Sequence, residues 1–134
     1  MYIYNIADDK ITQITDIESR PILSSLQYNY SDNCLYFDIS FHHYRDIAKI
    51  SLDDSTYKMV LNNDLWDERN IAFSKDGGLI YADDKSGIFN LYMIDEKNGV
   101  QGYITNVFGG SFMPNINRDG RVLYSCLLYT SDAA

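Results

Sequence analysis

The stretch Ile71–Thr105, IAFSKDGGLIYADDKSGIFNLYMIDEKNGVQGYIT, contains one complete set of strands and turns. Asp76-Gly77 is a turn signal, because glycine adopts positive φ without steric cost and aspartate can bond its own following backbone. A short apolar run follows this turn, and a second one, FNLYMI, follows a polar loop. Both runs are typical of β-strands, and no window has the apolar spacing of a helix. The stretch therefore predicts a meander of short strands.

The same pattern repeats along the chain about every 44 residues. Turn signals at Asp32-Asn33, Asp76-Gly77 and Asp119-Gly120 each precede an apolar, aromatic run, and two further strand patterns recur in phase with them. A period of roughly 40–50 residues with several short strands per unit indicates a β-propeller built from four-stranded antiparallel blades. A β-sandwich with regular hairpins is the alternative, but it gives no reason for in-phase repetition.

The repeat predicts an all-β chain of about three blades that do not close a ring. Propellers usually have ~4–8 blades, so we expect the 134 residues to be a fragment of a longer protein. A tail with the sequence CLLYTSDAA is predicted to lie outside the repeat, either as translated adapter sequence or as a natural frayed end. The partial propeller, 1–125, is expected to comprise a broken blade at 1–20, blades at 21–63 and 64–107, a broken blade at 108–125, and then the tail at 126–134.

Composition argues against several classes of function. The net charge of −8 and pI of about 4.5 repel phosphate backbones, so nucleic acid is not an expected partner. No apolar run approaches the ~18–20 residues of a membrane span, so no direct span is expected. Cys34 and Cys126 occupy different positions in the repeat, which favours two small buried apolar residues over a disulfide or a metal pair.

No constellation of residues predicts catalysis, a cofactor or a metal site. Gly109–Met113 lacks the final glycine of a nucleophile elbow, and no Ser/His/Asp set is identifiable. His42-His43 is predicted to be an exposed loop pair, since adjacent side chains in an extended stretch point apart. Asp83-Asp84 lacks the alternating oxygen ligands of a calcium loop and is predicted to be solvated. We therefore expect a segment that is not an enzyme.

One face of the blades has the chemistry of a partner surface. In a four-stranded meander, the connections from strand two to three and from strand four to the next blade lie on the same face. These connections are the longer and more aromatic ones, and tyrosine and tryptophan dominate interface energetics. The alternative is that the rings pack back onto the blades. The candidate residues are Phe41, Tyr44, Arg45, Trp66, Asp67, Asp83, Lys85 and Phe108.

The central unit resembles the TolB-like (WD40-like) propeller repeat. That repeat has a Ser-Pro-Asp-Gly turn, a glycine-containing loop and an Ile-Tyr-x-x-Asp strand, and it ends near Leu-Thr. Lys75 and Arg118 stand where the family usually has proline, and Asp32-Asn33 is a degenerate turn. The matching residues are Ser74–Gly77, Gly87, Leu91–Asp95 and Ile104-Thr105, with Asn117–Gly120 as the next copy of the turn.

The resemblance implies a non-catalytic protein-interaction propeller of the bacterial cell envelope, located in the periplasm or at the envelope. Its partners are then proteins, and no cofactor is expected. The alternative that the resemblance allows is the gating propeller of a prolyl oligopeptidase-type or tricorn-like peptidase, whose catalytic domain lies outside this segment.

Overall fold

The computed structural model describes residues 1–127, and these residues form β-strands joined by turns and loops. The strands are β1 (Tyr2–Asn5), β2 (Lys10–Gln13), β3 (Ile22–Asn29), β4 (Cys34–Ser40), β5 (Asp46–Ser51), β6 (Tyr57–Leu61), β7 (Glu68–Phe73), β8 (Leu79–Asp83), β9 (Asn90–Asp95), β10 (Val100–Tyr103), β11 (Ser111–Ile116) and β12 (Val122–Cys126). Within this part of the chain, no helix is long and apolar enough to cross a membrane.

The strands form four separate antiparallel meanders. Two sheets have four strands, in the orders β3-β4-β5-β6 and β7-β8-β9-β10, and two have two strands, β1-β2 and β11-β12. Among the first strands of the last three sheets, β7 contacts both β3 and β11. They are therefore the inner strands of a stack of blades. The predicted all-β, four-stranded blades are confirmed, and the described sheets do not close a ring.

Apolar clusters fill the space between successive sheets. The largest lies between the two complete blades and includes Tyr36, Ile47, Ile71 and Tyr81. All five residues of β8 are buried, so this strand packs on both of its faces. A strand covered on both sides must be apolar at nearly every position, which explains the uninterrupted runs in the sequence.

The turn signals lie where the sequence predicts them. The residue that closes each turn has positive φ: +51° at Asn33, +90° at Gly77 and +80° at Gly120. The Ser74 N–H donates to the Gly78 carbonyl at 2.8 Å, and the Asn117 N–H donates to that of Arg121 at 3.0 Å. Asparagine tolerates the left-handed region better than other side chains, so the degenerate first turn keeps the same geometry.

Each inner strand also contains a bulge that the sequence did not indicate. Ser25, Asn70 and Met113 have φ of +52°, +56° and +53°, and each lies at a register shift of β3, β7 or β11. A bulge bends a strand and increases its twist, but glycine, its usual signal in the left-handed region, is absent from all three positions. The Asn70 side-chain amide donates to Ser25 Oγ at 3.3 Å, so the bulges of neighbouring blades touch.

The last described strand, β12, ends at Cys126, a residue that was expected in the tail, and the blade bounds remain a prediction. Cys126 belongs to β12 and pairs with Ser111, as Asp83 pairs with Glu68 in the preceding blade. Cys126 is exposed, so the prediction that both cysteines are buried is wrong for Cys126 and holds for Cys34. Among residues 1–127, β12 is the second strand of a two-stranded sheet, so its outer side, where Cys126 lies, is uncovered. Residues 128–134 of the predicted tail lie outside the described residues.

Candidate functional site

Four of the loops at one end of the blades contain candidate residues. They join β4 to β5, β6 to β7, β8 to β9 and β10 to β11, and in antiparallel meanders these ends are on the same side. The loops comprise residues 41–45, 62–67, 84–89 and 104–110, and we call this surface the loop face. Seven of the eight candidate residues are in these loops, and Asp83 is the last residue of β8.

Three candidate rings on the loop face are open to solvent. Phe41 and Tyr44 are 41% and 42% exposed, and Phe108 is 97% exposed. Trp66 behaves differently, because it is half-buried and its indole N–H donates to Glu68 Oε1 at 3.1 Å. The ammonium of Lys85 lies 4.9 Å from the centre of the Trp66 ring, within the range of a cation–π contact. Trp66 therefore packs back onto the blade, Phe41 and Tyr44 are partly exposed, and Phe108 is almost fully exposed.

The structure corrects the prediction made for Asp83. It was expected in a solvated loop, but it is 2% exposed because β8 continues through it. Its Oδ1 accepts from the Tyr103 hydroxyl at 2.7 Å and from the Lys85 N–H at 3.2 Å. Burial raises the pKa of Asp83, and the hydrogen bond from Tyr103 opposes that rise. Asp83 anchors the start of the loop from inside and does not present its carboxylate to a partner.

Carboxylates connect the loops of the two complete blades. Asp67 accepts the Arg45 N–H at 2.7 Å and pairs with the Arg69 guanidinium at 2.5 Å. The Asp67 N–H donates in turn to Asp84 Oδ1 at 2.9 Å. Asp84 is half-buried, so this second residue of the predicted solvated pair is also a structural acceptor. Arg45 and Asp67 thus hold the loops in place, and Arg69, which the sequence did not single out, completes the contact.

Glu68 lies buried beneath Trp66 and was not identified from the sequence. It is 6% exposed, and its Oε2 has no hydrogen-bond partner among residues 1–127. Burial raises the pKa of Glu68 to about 7, the hydrogen bond from Trp66 opposes the rise, and the nearby Asp46 and Asp83 add to it. The only sequence signal for this site is its place at the start of an inner strand.

A polar residue at the start of the third strand fixes the crossing to the next blade. Asp46 Oδ1 accepts the Asn63 N–H at 2.9 Å, and Asn90 Oδ1 accepts the Val107 N–H at 3.0 Å. Both donors and both acceptors are 44 residues apart, so the device repeats with the fold. A search of the sequence for polar residues that recur every 44 positions would have found this pair of acceptors.

His42 and His43 are both exposed, as predicted for a loop pair. In the part of the chain that the structure describes, no three His, Cys, Asp or Glu side chains are grouped in a way that could hold a metal ion. The arrangement on the loop face is therefore one of exposed rings above a hydrogen-bonded acidic layer. Such a surface can bind by apolar burial and by charge.

No family model and no curated protein matches this sequence. The crystal structure of TolB from Acinetobacter baumannii is similar in fold, with a TM-score of 0.76 over 97% of this chain. The chain has a TolB-like propeller fold. Sequence identity to that TolB is 18%, so the likeness concerns the fold alone, and this chain spans 32% of the length of that TolB.

Proposed function

We propose that this TolB-like segment is a non-catalytic protein-interaction propeller that binds a protein partner through its loop face. The observation that supports it is the asymmetry between the two ends of the blades. Phe41, Tyr44 and Phe108 expose their rings on the loop face. The opposite turns are mostly aspartate, asparagine, serine and glycine, with Tyr30, 88% exposed, as the aromatic exception.

Rings that remain exposed on a rigid scaffold favour association. Each buries a large apolar area on binding with few side-chain torsions to restrict, which lowers the entropic cost. The bonds from the Arg45 N–H to Asp67 and from the Val107 N–H to Asn90 tie these loops to the blades, so little ordering remains to be done when a partner docks. Aromatic side chains at the centre of an interface commonly carry most of its binding energy.

A location in the bacterial periplasm or cell envelope is the further part of the proposal. It rests on the TolB-like fold together with the resemblance of the central repeat to that family. The alternative of a peptidase gate has no observation in its favour among residues 1–127.

The experiment is co-purification of the tagged natural protein from fractionated host cells. We expect it in the envelope or periplasmic fraction, together with a specific protein partner. The combined change Phe41→Ala and Phe108→Ala should reduce the recovered partner by roughly tenfold or more, as expected for hot-spot rings. Tyr30→Ala, on the opposite turns, is the matched control and should leave recovery unchanged. Equal losses from both variants would refute the loop face, and a purely cytosolic protein would refute the envelope location.

A further inference from the structure

The crossings that follow the two complete blades form equivalent grooves on the loop face. One, of about 590 Å³, lies between the β4–β5 loop and the β6–β7 crossing. The other, of about 450 Å³, lies at the corresponding place one blade later. Asp46 lines the first and Asn90 lines the second, 44 residues apart, so the repeat itself supplies a comparison.

The two grooves differ in charge and in aromatic content. The first, which we call the acidic groove, includes Phe41, His43, Tyr44, Asp46, Asn63 and Asp64 in its lining. The second, which we call the neutral groove, is lined by Ser86, Asn90, Tyr103, Ile104, Thr105 and Asn106, so no carboxylate lines it.

The charge of Asp46 is not required by the fold. Asn90 makes the same bond to the next crossing with a neutral amide oxygen, so that contact does not require a carboxylate. Burying a carboxylate is costly unless it is paired. Asp46 is 8% exposed, and burial raises its pKa, with the charges of Asp64 and Asp67 adding to the rise. The neutral residue would therefore be the more stable choice for folding alone.

The second oxygen of Asp46 is available to a ligand. Among residues 1–127, its hydrogen bond from protein is the one that Asn63 donates to Oδ1. Within the described part of the chain, Arg69 pairs with Asp67, and no lysine or arginine forms a salt bridge with Asp46. Asp46 is thus a buried, charged side chain that lines an open groove without a cation.

The walls of the groove suit an organic cation. Phe41 and Tyr44 are both partly exposed beside Asp46, and aromatic faces attract ammonium and guanidinium groups. The chain makes such a contact itself one blade later, where Lys85 lies over Trp66. Lys85 lies 44 residues after Phe41, at the equivalent position of the next blade. The second complete blade therefore has a lysine where the first has a phenylalanine beside an aspartate.

We propose that the acidic groove binds a lysine or arginine side chain of the protein partner. The carboxylate of Asp46 accepts from the cation, and Phe41 and Tyr44 flank it. This inference rests on the proposed function in assigning the cation to a protein. It deepens that proposal by naming a basic segment as the part of the partner that reaches the loop face.

The test measures fluorescence anisotropy of a labelled, end-capped peptide with four arginines, titrated with the full chain at about pH 8, where histidine is ordinarily uncharged. The same peptide with citrulline in place of arginine is the uncharged control. The wild-type chain should bind the arginine peptide and not the citrulline peptide. Asp46→Asn should weaken binding by roughly tenfold, the usual cost of losing a charged hydrogen-bond partner.

Two variants keep this experiment decisive. Asp46→Asn is expected to fold, because asparagine holds the equivalent crossing at Asn90. Glu96→Gln removes the same charge from an exposed turn on the opposite end and should leave affinity unchanged. Equal weakening by both variants would overturn the proposal, because the peptide would then be attracted by the net charge of the chain. No weakening by Asp46→Asn would also overturn it, because Asp46 would then not contact the cation.

The outcome also separates this inference from the proposed function. If a partner co-purifies through the loop face and Asp46→Asn leaves that recovery unchanged, the groove assignment fails while the interaction surface stands. If Asp46→Asn weakens binding of the arginine peptide, but changes to the loop-face rings do not alter which proteins co-purify, then the groove binds cations and the proposed partner surface is wrong.

Discussion

At the scale of single residues, Glu68 is a buried carboxyl next to the loop face. Its carboxyl lies under Trp66 with one oxygen unsatisfied among the described residues, and its pKa is raised to about 7. An unfolded glutamate ordinarily has a pKa of roughly 4.3. The folded state therefore binds a proton between about pH 4.3 and pH 7 that the unfolded state does not hold. Its contribution to stability is present below that range and is lost as the pH rises through 7.

Glu68→Gln tests this reasoning. Glutamine keeps an oxygen for the Trp66 N–H and removes the titration, so we expect it to stabilise the chain at about pH 8 by roughly 1–3 kcal/mol. At about pH 4 the variant and the wild type should have similar stability. Thermal unfolding followed by circular dichroism across this range is the measurement.

The control for this prediction is Glu96→Gln, at an exposed position. It should keep the pH dependence of the wild type. A Glu68→Gln chain whose melting temperature changes with pH as much as the wild type does would show that Glu68 is ionised at no cost.

At the scale of elements, the bulged inner strands are the feature that recurs with the blades. Asn70 has φ of +56°, donates its N–H to both oxygens of Asp38 at 3.1 Å, and touches Ser25 of the neighbouring inner strand. The bulge therefore joins two blades through a buried carboxylate. Burial raises the pKa of Asp38, and the bond from Asn70 opposes that rise.

Asn70→Val should destabilise the chain by roughly 1–3 kcal/mol, because a β-branched residue is strained at positive φ. Asn70→Gly is the matched comparison, since it loses the same amide but accepts the backbone geometry. We expect the glycine variant to be more stable than the valine variant in urea unfolding. Equal loss in both would place the effect in the side-chain bond and not in the backbone.

At the scale of the whole molecule, the sequence predicts the features that recur in every blade. The turns at Asp76-Gly77 and Asp119-Gly120 can be predicted from their own residues. Strands such as β8 can be predicted from their apolar runs, because both of their faces pack against neighbouring blades. The bulge at Asn70 gave no local signal, since its partner Asp38 is 32 residues away. Asp83 was predicted to be solvated because it lies in a polar stretch of sequence. That stretch gives no indication of the hydrogen bond from the Tyr103 hydroxyl, 20 residues further on. The candidate surface was located by topology, but which rings stay exposed depends on such contacts.

The central claim is that partner contact occurs at the loop face of a TolB-like stack of blades. A photo-crosslinking amino acid placed at Phe108 or at Tyr30, in the natural protein within its host cells, tests it most directly. The two positions are similarly exposed, at 97% and 88%, but lie at opposite ends of the blades. We predict that Phe108 crosslinks to one protein and that Tyr30 does not. Crosslinking to the same protein from Tyr30 and not from Phe108 would contradict the claim.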